Sequence, residues 1–69
     1  MDIKDFQELY PTIKDKQLHI ILLNGLWFNG KIIEISKNNL IFDERKSGLV
    51  PINILTISKI QLLEERNGR

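Results

Sequence analysis

Between positions 17 and 63 the chain is a succession of short apolar runs, rich in Ile and Leu, each cut off by Asn, Gly or a polar pair. That punctuation limits it to strands of a few residues joined by tight turns. Ile is β-branched and suits a pleated surface, and Ala, the best helix former, is absent. The first strand is expected over residues 17–23. Asn24-Gly25 then reads as a type I′ hairpin turn, which needs positive φ at both central positions.

The return strand, residues 26–36, is long and contains Gly30, the mark of a bulge or sharp bend. Its apolar phase slips as well: Phe28 and Ile32 share one parity and Ile35 takes the other, as a strand turning a corner would show. Lys37, Asn38 and Asn39 make the next turn, residues 40–44 the third strand, and residues 45–48 another turn. Pro51 places the fourth strand, residues 49–52, at an edge. Asn53 marks a tight corner, residues 54–63 form the fifth strand, and residues 64–69 are a polar tail that frays.

Ahead of these strands, Ile3, Phe6, Leu9 and Tyr10 recur at helical spacing behind Asp2, a good N-cap. They predict one amphipathic helix over residues 2–10, stopped by Pro11, which restricts Tyr10 and lacks an N–H. The expected fold is therefore mostly β: one domain over residues 1–69, with an N-terminal helix before a small, strongly bent five-stranded barrel over residues 17–63.

A chain of 69 residues has a thin core, and such domains usually carry a staple. With no cysteine and one histidine, neither disulfides nor a Cys/His metal cluster can supply it. Neither a metal nor a cofactor is expected, and association between chains is the common staple that remains. Ten basic residues against nine acidic ones give no global attraction to polyanions. The sequence shows neither a secretory leader nor a run long enough to span a bilayer, and the expectation is a cytoplasmic protein away from membranes.

The stretch from Ile21 to Ile35, with Asn24-Gly25, Gly30 and apolar residues at fixed steps, resembles the first Sm motif. Residues 49–60 resemble a degenerate second motif, and the leading helix fits too. The similarity is to the Sm-like family, in particular its bacterial and archaeal Hfq and Sm-like group, and covers residues 2–60. It implies a homo-oligomeric ring of six or seven subunits in which the fourth strand of one subunit pairs with the fifth of the next. Leu49, Val50, Pro51, Ile52, Ile57 and Ile60 would then form the contact between subunits. It further implies single-stranded RNA binding through two loops, here Ser36, Lys37, Asn38 and Asn39, and Asn53 with its neighbours Ile52 and Ile54.

The chain departs from the family pattern inside those loops. Ser36 stands where the first motif carries Asp, and Leu40 where it carries Asn. The Arg-Gly of the second motif and the Lys-His of Hfq are missing. These departures motivate a competing expectation, a barrel of Sm or Src-homology type that binds proteins and has lost RNA. A third, fainter similarity joins residues 35–42 to the signature strand of PilZ nucleotide-binding domains, without the arginine motif that precedes it.

Other residues read plainly. Trp27 is expected in the core or an interface because of its large apolar area, and Phe28 and Phe42 in the core. Lys37, Arg45 and Lys46 could reach phosphates or simply guard strand ends. His19 is expected on a strand surface. Asp43-Glu44 and Glu64-Glu65 are adjacent acids that point to opposite faces of a strand, so they do not converge as an acid–base pair. No set of nucleophile, base and orienting group is visible, and the protein is expected to bind and not to catalyse.

Overall fold

The computed structural model describes residues 1–63. The expected polar tail lies outside the described residues.

Helix α1 (Ile3–Ile13) begins where Asp2, in extended backbone, accepts the Lys4 N–H. It does not stop at Tyr10. It runs through Pro11 to Ile13 because the proline sits in the last turn, where it removes one donor, and because Ile13 is buried in the core. Burying that side chain is worth about 1.5–3 kcal/mol, enough to offset one lost hydrogen bond. The Lys14 N–H reaches the Tyr10 carbonyl, and Asp15 at φ 62° turns the chain away.

Five strands follow: β1 (Leu18–Leu22), β2 (Trp27–Ser36), β3 (Asn39–Glu44), β4 (Gly48–Asn53) and β5 (Ile57–Leu62). They form one antiparallel sheet in the order β4-β3-β2-β1-β5. The mostly β fold with one N-terminal helix is as expected; among the described residues no hydrogen-bonded pairing joins β4 to β5, so hydrogen bonds do not close the sheet into a barrel. The first three residues expected of the fifth strand differ. Ile54–Thr56 is a single 3-10 turn, η1, capped by Asn53 Oδ1 on the Leu55 N–H, and the strand starts at Ile57.

The bend in β2 has two physical sources. Ile32 faces Phe42 but Glu34 faces Ile41, so Ile33 is an extra residue with no partner. This bulge is the parity slip seen in the sequence. Gly30 lies against β3 so closely that a side chain there has no room.

The Asn24-Gly25 turn is not type I′. Gly25 has φ 93°, Asn24 is not left-handed, and Leu22 exchanges hydrogen bonds with Gly25 and Leu26. The loop is thus three residues, Leu23-Asn24-Gly25, with the glycine in the bulge position. The register that results sets Phe28 opposite Ile20 and Trp27 opposite Ile21.

One face of the sheet carries the core. Leu18, Ile20, Ile32, Leu40, Phe42, Ile52 and Ile57 are buried there, and Phe6, Ile13 and Ile54 close it from the helix side. Phe42 is in the core as expected and Phe28 is packed against it. Trp27, expected in the core or an interface, is 57% exposed on the other face of this chain.

Candidate nucleic-acid interface

The β2–β3 turn is the tightest hairpin among the described residues. Ser36 and Asn39 face each other, leaving a two-residue loop of Lys37 and Asn38. Lys37 stands at φ 51°, a region that costs an L-residue energy and that glycine usually fills in such turns.

The β4–η1 corner arrives beside it. Asn39 faces Asn53 across the β3–β4 ladder, and the Ile54 N–H donates to the Asn38 carbonyl at 2.7 Å. Two loops distant in sequence thereby form one continuous surface at one end of the sheet. Ser36, Lys37, Asn38, Asn39 and Asn53 are all exposed on it. Together they offer three carboxamides, one hydroxyl and one ammonium.

Asn53 is partly occupied. Its Oδ1 accepts the Leu55 N–H at 2.9 Å, and its carbonyl accepts the Thr56 hydroxyl. Its amide N–H₂, a donor, has no hydrogen-bond partner among the described residues. Ile52 and Ile54, the neighbours implied by the family likeness, are 4% and 1% exposed and pack inward. Only Asn53 of that loop presents a side chain.

Arg45 and Lys46 are not part of this surface. They lie in the β3–β4 turn at the other end of β3. There the Glu44 carboxylate, buried on the core parity of β3, accepts the N–H groups of Lys46 and Ser47 at 2.9 and 2.8 Å. The Ser47 N–H holds its pKa below the ordinary carboxylate value; burial opposes that shift and the Lys46 N–H reinforces it. Sequence reasoning missed this anchor. The available signal was a charged residue on the same alternation as Leu40 and Phe42.

His19 is half-buried on β1 and hydrogen-bonded through Nδ1 to the side chain of Asn29, its cross-strand neighbour. Its ring lies 5.3 Å from that of Trp27. Exposed Leu23 and Leu26 flank the same hairpin, and Leu55 is exposed in η1, whose Thr56 carbonyl accepts the Leu23 N–H. Sequence reasoning placed Trp27 in the core or an interface but did not single out Leu26 and Leu55.

Of the expected subunit contact, Leu49 and Pro51 are exposed on β4, and Val50 and Ile60 are half-buried. Ile52 and Ile57 belong to the core, so their side chains are committed within the chain. Among the described residues no three His, Cys, Asp or Glu side chains come together as a metal site, and no helix is long and apolar enough to cross a membrane.

Comparison with known proteins finds no matching family model, no similar curated protein and no similar solved structure.

Proposed function

We propose that the protein is an Sm-like RNA-binding module that associates into a ring and holds single-stranded RNA on the surface of Ser36, Lys37, Asn38, Asn39 and Asn53. The observation that carries this reading is the pairing of Asn39 with Asn53, which unites the two loops into one polar surface. Carboxamides of this kind read the edges of unstacked bases, and one ammonium supplies a phosphate contact.

The strand order supports association. β4 and β5 are the two edges of the sheet, each with unpaired backbone groups. Joining β4 of one copy to β5 of the next is a head-to-tail contact, which closes into a ring when the rotation permits. Exposed Leu49 and Pro51 would be covered by it.

The test combines mass and affinity. Light scattering should return six or seven chains, independent of concentration. Oligo-U, oligo-A and mixed RNA should bind at low salt. Asn39→Ala should weaken that binding about two- to tenfold, the worth of one hydrogen bond. Asn53→Asp, which keeps the cap and replaces the donor by an acceptor, should weaken it further. Absence of binding to all three RNAs would overturn the reading.

A second reading has its own observation. Trp27, Leu23, Leu26 and Leu55 are exposed apolar side chains around one hairpin. Large exposed apolar residues mark protein contacts, and Trp is prominent among their hot spots. A scaffold module without RNA binding would use that surface.

A further inference from the structure

Helix α1 does not seal completely against the sheet. Between them remains a groove of about 230 Å³. Phe6 and Ile54, each 1% exposed, form its floor. Ile3, Tyr10 and Ile35 are half-buried and form its walls. Lys37 stands exposed at its rim and is the one charged residue lining it among the described residues. Gln7, also exposed at the rim, adds an amide donor.

The position of Lys37 is itself informative. Its backbone is held at φ 51°, in a two-residue turn where glycine would be unstrained. Residues held in this region cluster at binding and active sites. Here the side chain so held is the cation beside an apolar groove.

We propose that this groove binds a small monocarboxylate with an apolar body. The body lies along Phe6 and Ile54, and the carboxylate pairs with the Lys37 ammonium and accepts from the Gln7 amide. One cation balances one negative charge, which favours a monocarboxylate over a dianionic phosphate. The apolar floor and walls exclude a polar body, because its groups would lose water without gaining partners. This site does not depend on RNA binding, although both readings use Lys37.

Tyr10 is the only tyrosine and Trp27 the only tryptophan, so the two regions report separately. We would titrate the full chain with hexanoate, octanoate, decanoate and octanol and follow aromatic resonances by NMR. Saturable shifts of Tyr10 and Phe6 are expected, without a shift of Trp27. Affinity should rise about fourfold for each added methylene until the groove is filled. Octanol should bind about two- to fivefold more weakly than octanoate, the worth of an exposed ion pair. Lys37→Gln, a surface change, should erase that difference. Ile35→Trp should block the groove, with the amide spectrum verifying the fold.

No saturable Tyr10 shift, equal affinity for octanoate and octanol, or shifts confined to Trp27 would each overturn the proposal. A parallel titration with oligo-U keeps the two readings apart. RNA binding without octanoate binding sinks this site alone, and octanoate binding without RNA binding sinks only the RNA reading.

Discussion

Gly30 of β2 lies against the backbone of Asp43 on β3 so tightly that a Cβ would stand 2.0 Å from the Asp43 carbonyl oxygen. No rotamer relieves such a contact, because both partners are main chain in a hydrogen-bonded ladder. The close approach and the bulge at Ile33 together turn β2 around the core.

Gly30→Ala must therefore push β3 away from β2. We expect it to cost about 3 kcal/mol or more. That is a large share of the stability of a domain this small, and urea unfolding would show a collapsed midpoint or no folded baseline. Gly25→Ala makes the contrast. Its space is open, and only its φ of 93° is unfavourable, so about 1–2 kcal/mol is expected.

Lys37 carries the opposite prediction. Replacing it by glycine removes the left-handed strain at φ 51°, which is worth about 1–2 kcal/mol, less what the more flexible unfolded chain takes back. Lys37→Gly should raise the urea midpoint modestly while weakening RNA binding and reducing the salt dependence by about one phosphate contact. A lower midpoint would show that the turn is not strained by its lysine.

The main features of the sheet were legible because they reside in local pattern. Gly30, the parity slip before Ile35 and the edge proline Pro51 each have a direct backbone meaning. The turn type at Asn24-Gly25 was not legible, since the same dipeptide serves both a two-residue and a three-residue loop. That single difference has a large consequence. A two-residue loop would set Trp27 opposite Leu22, on the core parity; the three-residue loop sets it opposite Ile21 and turns it outward. The end of α1 was hidden for another reason: the burial of Ile13 is tertiary and overrides the proline. The polar turn residues of the candidate site could be read directly, but their meeting depends on the Asn39–Asn53 register, which no local signal encodes.

Glu44 gives the fold a pH dependence of known sign. Its carboxylate is stabilised by the Ser47 and Lys46 N–H groups, so its folded pKa is lowered. A lowered carboxylate pKa contributes stability that is fully present above the unfolded-state value. That contribution is lost as pH falls through the folded-state value. Glu44→Gln keeps an acceptor oxygen but has no charge to lose. The stability gap between wild type and Glu44→Gln should be widest near neutrality and should close on acidification, as read from urea midpoints at a series of pH values. A gap that stays constant with pH would show that the contribution is steric.

Pro11 is the one position where the helix is maintained against its own chemistry. It has no N–H to give the Gln7 carbonyl, and its ring crowds that carbonyl. Pro11→Ala restores the bond and supplies the best helix former. The full propensity gain is about 3 kcal/mol in a helix interior. Two effects reduce it here: the site is in the last turn, and proline also restrains the unfolded chain by about 0.4–1 kcal/mol. A net gain of about 1–2 kcal/mol is expected. The same logic assigns the stability of that turn to Ile13, whose side chain is 2% exposed in the core. Ile13→Ala should cost about 2–5 kcal/mol and release the last turn, lowering helicity by circular dichroism. In the Pro11→Ala background the loss of helicity should be smaller, because the restored hydrogen bond holds the turn locally. Equal losses in both backgrounds would mean that packing alone, and not the missing bond, decides where α1 ends.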